Sequence, residues 1–329
     1  MNKRKLGRTN LLVSELCLNT TKFGWINDEA VSQTLLDTYH AAGGNFIQSL
    51  GFCSHPTSSQ AAENNSEDLV GRWHTHRAIP RESLVLASRI TFFRPAHGGS
   101  IAFANLIREA CERSLRRLRS QHLDLLVCDW DEQLVPVSDV LEAVDMLIRA
   151  GLVRYVVAGE FPPWRVVDSI HRCGTRNHAR FEAVQADYSL ITRARFETES
   201  LAMCREHRLG LIASSPLAGG FLAQRPVSLR ELINLDRSWQ NERFGNHFGD
   251  AMLRTLSVIA DKRFASPAQI ALAWVLQNPQ VTSALISAPS AKELRDMICV
   301  SDITLTTDEM AALASVTTVQ EYRMELRHA

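Results

Sequence analysis

Short apolar runs alternate with longer amphipathic ones along nearly the whole chain. The short runs predict strands over 13–19, 45–50, 84–90, 123–129, 154–159, 183–188, 210–215 and 283–288. Most are near-continuous in apolar residues, as parallel strands covered on both faces must be. Between them the helical period predicts helices over 29–42, 66–75, 100–119, 138–150, 163–172, 197–207 and 267–277. Ser66 followed by Glu67 and Asp68 reads as a helix start, with acidic groups at the positive end of the dipole. Gly43-Gly44 and Gly151 read as helix stops just before a strand. Eight strands in strict alternation with helices predict one (β/α)8 barrel spanning 1–329. The residues after about 315 read as a loose tail. A doubly wound sheet is the competing fold, but no GxGxxG turn follows the first strand. The stretch 223–250, rich in Arg, Asn and Phe, reads as a long loop or short helices.

Composition adds three constraints. The 36 basic and 36 acidic residues cancel, which removes the electrostatic footprint of a general nucleic-acid binder. No run reaches the roughly 18 apolar residues of a membrane span, and the basic start is not followed by an apolar signal core. Seven cysteines with no close pair predict reduced, mostly buried thiols and a cytoplasmic protein. The basic run Arg113, Arg116, Arg117 and Arg119 reads as a solvated helix face, and His74 and His76 as surface residues.

In such a barrel the chemistry sits where strands end. The strand ends hold Asn19 and Thr20, Gln48 to Cys53, Arg89, Asp129, Glu160, Gln185 and Asp187, and Ser214 and Ser215. Arg89, Asp129 and Glu160, from three consecutive strands, should converge at the mouth. Two readings stay open: a paired charge network that seals the pocket, or a new substrate site. In the second, Arg89 holds an anionic group and Asp129 or Glu160 acts as acid or base. Cys53 beside Arg89 reads either as a small buried hydrophobe or as an activated thiol with His55 near it. Asp129, Glu160 and Asp187 resemble an oxygen-ligand set, but no metal is expected.

Several segments in order resemble the aldo-keto reductase superfamily. They are Leu6-Gly7-Arg8-Thr9 with Val13-Ser14, similar to the family's N-terminal hairpin and implying one over about 1–14, then Gly43-Gly44-Asn45-Phe46-Ile47, then Ser114-Leu115-Arg116-Arg117-Leu118 with Leu123-Asp124-Leu125. Gly151-Leu152-Val153-Arg154-Tyr155, Gln185 through Tyr188, and Ser215-Pro216-Leu217-Ala218-Gly219-Gly220 follow. The resemblance implies NADP(H)-dependent carbonyl reduction by a tyrosine acid, a lysine that lowers its pKa, an aspartate and a histidine. At those four positions this chain carries Cys53, Arg89, Gln48 and Asp129. Two replacements hold in any register. The tyrosines are 39, 155, 188 and 322, and the lysines 3, 5, 22, 262 and 292, so neither type occurs between 40 and 154. Arginine stays protonated and is no neutral substitute for lysine in a proton relay.

The cofactor positions implied by the resemblance are also altered. Gly159-Glu160 replaces a Ser-Asn pair, Ser214 an aromatic, and Pro289, Glu293 and Met297 the arginine, glutamine and asparagine of the adenosine-phosphate grip. Thr20, Gln185, Ser215, Leu217 and Asp296 remain as a residual NADP(H) set. The expectation is therefore a diverged small-molecule enzyme with acid–base chemistry at the barrel mouth. The alternatives are a non-catalytic ligand sensor or docking protein, and an atypical NADP(H)-dependent oxidoreductase. Oligomeric state and protein partners are not legible.

Overall fold

A computed structural model describes residues 1–53, 60–92, 99–130, 135–159, 161–176, 179–224, 243–245 and 247–317. The chain begins with β1 (Lys3–Lys5) and β2 (Leu12–Ser14), then runs β3 (Leu16–Asn19), α1 (Glu29–Ala41), β4 (Phe46–Cys53), α2 (Gln60–His76) and β5 (Val85–Phe92). It continues through α3 (Gly99–Arg117), β6 (Leu123–Trp130), α4 (Val137–Arg149), β7 (Val153–Ala158), α5 (Pro163–Arg176) and β8 (Phe181–Asp187). Next come α6 (Arg193–Glu199), α7 (Leu201–Glu206), β9 (Gly210–Ser214), α8 (His247–Arg263), α9 (Pro267–Gln277), β10 (Val281–Ile286), α10 (Ala291–Ile298) and α11 (Thr307–Val316).

β3 to β10 pair in parallel and close into one eight-stranded barrel, as the alternation predicts. β1 and β2 form an antiparallel hairpin whose flanking Leu6, Leu11 and Val13 join the apolar cluster inside the barrel. The predicted strand over 13–19 is thus two elements. Glu15 separates them. Its buried carboxylate accepts from the Asn2 backbone and from Ser301, which ties the hairpin to the turn after α10.

Period-two alternation sorts each strand into two faces. Cys17, Phe46, Ala87, Leu125, Val127, Val157, Ala183, Ile212 and Leu285 pack inside the barrel. Their sequence neighbours Leu18, Ile47, Leu86, Leu126, Val156, Val184 and Leu211 face the helices and join the larger core. Continuous apolar runs in the sequence are the consequence.

Four predictions about helices need correction. α2 begins before Ser66, so Ser66 is not its cap; the hydroxyl lies inside the fold, 2.8 Å from Thr20 Oγ1. His74 is buried, with Nε2 2.8 Å from the Leu118 carbonyl, whereas His76 is exposed. The predicted helix over 197–207 starts earlier and breaks at Ser200 into α6 and α7. α8 begins inside the stretch read as a long loop or short helices, of which 225–242 lies outside the described residues, and the sequence reading did not include α10 and α11.

α11 shows how a late element is fixed. Thr306 and Glu309 form a reciprocal capping box, and Arg263 on α8 grips Glu309 through Nε at 2.9 Å and Nη2 at 2.5 Å. Arg263 holds the Glu309 carboxyl down to about 2, with the Thr306 cap adding to the effect. This contribution is present above the ordinary carboxylate range and is lost as pH falls toward that lowered value. Thr306→Ala removes one cap bond and is expected to cost about 1 kcal/mol in urea unfolding. An unchanged midpoint would show that α11 docking does not depend on its cap.

Candidate functional site at the barrel mouth

The hydrogen-bonded register descends from strand to strand around the ring, as tilted strands in a closed barrel require. Inner side chains from alternate strands therefore share a level. Cys17, Ala87, Val157 and Ile212 make one apolar level. Above it come Gln48, Val127, Gln185 and Leu285, then Asn19, Arg89, Gly159 and Ser214, then Leu50, Asp129, Asp187 and the Ser287 position. Polarity rises toward the strand C-termini, where a barrel builds its site.

The structure brings Arg89 and Asp129 together. Arg89 Nε donates to Asp129 Oδ2 in an ion pair on the inner face of β5 and β6. The Arg89 side chain is 30% exposed and that of Asp129 16%. Among the described residues, the two terminal nitrogens of Arg89 donate to nothing. Gly159 belongs to the same arrangement. A Cβ built on it would overlap Asp129 Oδ1 and stand 2.8 Å from both Asp129 Cγ and the Cys128 carbonyl oxygen. Only glycine leaves Asp129 its place.

Gln48 is 3% exposed and Gln185 fully buried. Among the described residues, Gln48 Oε1 and both amide atoms of Gln185 have no hydrogen-bond partner. Cys53 ends β4, paired in register with Thr91, and its side chain lies outside the described set. His55 and Glu160 also lie outside the described residues, so their roles rest on the sequence.

The described tyrosines are engaged elsewhere. Tyr39 sits behind β3 and β4, bonded to Ser14 and to the Leu16 and Phe46 carbonyls, and burial pushes its phenol well up. Tyr155 donates to Asn10 in the turn of the N-terminal hairpin. Tyr188 packs against Trp274 and meets Glu197 and Asn278, with its phenol also raised by burial.

The residual NADP(H) residues divide. Thr20 is buried and spends its hydroxyl on Ser66 and the Gln48 carbonyl. Ser215 and Leu217 lie in a tight turn after β9, where Ser215, Ala218, Gly219 and Gly220 all have left-handed backbone. Two amides of the turn are already spent on it, Ala218 N–H on the Ser215 carbonyl and Gly220 N–H on the Leu217 carbonyl. Asp296, exposed on α10, accepts from Ser266 Oγ at 2.8 Å. Pro289 offers no side-chain donor, and its carbonyl accepts from Asn27. Glu293 places a carboxylate where the resemblance expects the glutamine of the phosphate grip. This segment does not fit an adenosine 2′-phosphate.

Known proteins agree with the fold. The Aldo/keto reductase family matches residues 15–318. The chain is 29% identical over 307 residues to the uncharacterized oxidoreductase YrpG of Bacillus subtilis, covering 91% of each chain. It is 26% identical over 349 residues to protein tas of Escherichia coli, covering 98% of this chain and 99% of that one. A probable voltage-gated potassium channel subunit beta of Arabidopsis thaliana is 24% identical over 311 residues, with 92% of each covered. The chain belongs to the aldo/keto reductase family. That family typically uses NADP(H) and takes small molecules at the barrel mouth. No helix among the described residues is long and apolar enough to cross a membrane.

Proposed function

We propose that this protein is a diverged small-molecule enzyme that binds a polar, anion-bearing ligand at the barrel mouth and performs acid–base chemistry there, not tyrosine-dependent carbonyl reduction. The Arg89–Asp129 pair carries this reading. It occupies the inner mouth at the positions where the resemblance expects lysine and histidine. Among the described residues Arg89 has two unengaged nitrogens, which suit a carboxylate or phosphate oxygen through a charge-assisted bond. Asp129, fixed by Arg89 and given room by Gly159, holds or returns a proton at the ligand. No step is routed through NADP(H), because the 289–297 segment does not fit its phosphate. A docking or sensor role is the second reading, favoured by the Arabidopsis relative named as a channel subunit.

A thermal-shift titration with NADPH tests this. A ligand at 100 times its Kd stabilises a fold by about 2.7 kcal/mol. The expected result is no shift at millimolar NADPH and no NADPH consumption with reactive aldehydes. NADPH-dependent turnover that survives in Asp129→Asn would overturn the reading.

A further inference from the structure

A cavity of about 610 Å³ lies at the end of the barrel opposite the mouth, where the strands begin. Asn10 in the hairpin turn, His122 just ahead of β6, Ile148 near the end of α4, and Val153, Arg154 and Tyr155 at the start of β7 line it. Its volume falls in the range of small-molecule sites, about 300–1,000 Å³. Among the described residues no carboxylate lines it.

The charges behind its wall do not cancel. Asp124, 1% exposed, meets two guanidinium groups. Arg81 Nη2 donates to its Oδ2 at 2.7 Å and Arg154 Nη1 to its Oδ1 at 3.1 Å. Arg81 also donates to Ser120 and to the Leu84 and His122 carbonyls, so all three of its nitrogens are engaged. Burial, and after it Arg81, lowers the pKa of the His122 imidazole, so that ring adds no charge at neutral pH. Two cations on one carboxylate leave one positive charge over. That charge falls on Arg154, which is 52% exposed at the cavity wall.

The donors left over also specify a shape. Among the described residues Arg154 Nε and Nη2 donate to nothing, so the side-on fork of the guanidinium is intact. Such a fork takes two oxygens of one anion. Tyr155 donates to Asn10 Oδ1 at 2.8 Å, which occupies the acceptor of that amide and leaves Nδ2 to donate to a third oxygen. A carboxylate has two oxygens, whereas a phosphate monoester has three terminal ones. Ile148 and Val153 supply the apolar part of the lining.

We propose that this cavity is a second ligand site, in which the Arg154 fork and Asn10 Nδ2 hold the oxyanion of a phosphate or a small phosphomonoester. It is independent of the proposed site at the mouth: Asp124 lies near the start of β6 and Asp129 near its end.

Calorimetric titration at neutral pH with glycerol 3-phosphate, inorganic phosphate and glycerate tests it. Glycerol 3-phosphate should bind about fivefold more tightly than glycerate, which lacks the third oxygen. Arg154→Leu should weaken glycerol 3-phosphate about tenfold, as loss of a charge-assisted fork requires. Asp124 keeps Arg81 and the Leu86 N–H in that variant, so the fold should stand. Arg154→Lys, which keeps the charge without the fork, serves as the second variant and should bind between the two. Asn10→Ala should erase the preference over glycerate. Arg89→Leu should change none of these affinities. Equal binding of inorganic phosphate and the ester would support the site and identify its ligand as the oxyanion alone, and tighter binding of the ester would identify a phosphomonoester. Binding lost in Arg89→Leu but kept in Arg154→Leu would place the phosphate at the mouth and overturn the proposal. Glycerate bound as tightly as the phosphates, or no binding of either phosphate at tens of millimolar, would overturn it as well.

Discussion

Arg117→Leu is expected to destabilise the fold by about 3–5 kcal/mol at neutral pH, because it leaves a buried carboxylate without its cation. That carboxylate is Glu67 on α2, fully buried behind β4 and β5. Arg117 reaches it from α3 through Nε at 2.8 Å and Nη2 at 2.5 Å. Ser88 donates to the other oxygen at 2.8 Å, and Ser49 at 3.5 Å. One carboxylate thus ties together two helices and two adjacent strands. The inner neighbours of those serines are Gln48 and Arg89, so the same clamp fixes the wall of the site.

Burial raises the Glu67 carboxyl above its ordinary range, against the opposing pull of Arg117. The native state therefore holds the proton to higher pH than the unfolded chain does. For such a group the stabilising contribution is full below the unfolded value and is lost as pH rises through the folded one. Removing Arg117 takes away the largest opposing influence and widens that window. Urea unfolding of Arg117→Leu should show a steeper loss of stability between acid and neutral pH than the parent. Adding Glu67→Gln should flatten the profile and recover much of the loss, since a neutral pair is far cheaper to bury than a lone charge. A pH profile identical to the parent's would show that Glu67 is not the titrating group.

The clamp was not legible in the sequence. Arg117 lies in a run of arginines that reads as a solvated helix face, and Glu67 in what reads as the first turn of a helix. Only α2 and α3 packed against β4 and β5 bring them together. The barrel itself was legible, because eight strands buried on both faces leave short continuous apolar runs that alternate with longer helical patterns. Boundaries failed where tertiary contacts override local pattern: at Glu15, where a buried carboxylate interrupts an apolar run, and at Ser200, where a helical period continues across a break. The site was half legible. Strand-end reasoning put Gln48, Arg89, Asp129 and Gln185 at the mouth, but which of them share a level follows from register, and no linear pattern encodes register. Gly159 was read as one half of a lost Ser-Asn pair, and its steric role beside Asp129 needed coordinates.

Gly159→Ala is the sharpest probe of the site. The added methyl would overlap Asp129 Oδ1 and press on the Cys128 carbonyl, which already accepts from the Gly159 backbone at 2.8 Å. Real Cβ atoms do not approach so closely, so Asp129 must swing away or the strand end must shift. Swinging away breaks the bond to Arg89 Nε and leaves two mostly sheltered charges unpaired. The expected cost is about 1–3 kcal/mol from overpacking alone, with the broken pair added to it. Binding of an anionic probe should weaken as Arg89 loses its orientation. A double-mutant cycle with Asp129→Ala separates the causes, because removing the carboxylate removes the clash. Gly159→Ala should then cost far less in the Asp129→Ala background, with a coupling of about 1–3 kcal/mol. Strict additivity would mean that the methyl acts through the Cys128 carbonyl, and that glycine at this position serves the backbone and not the Arg89–Asp129 pair.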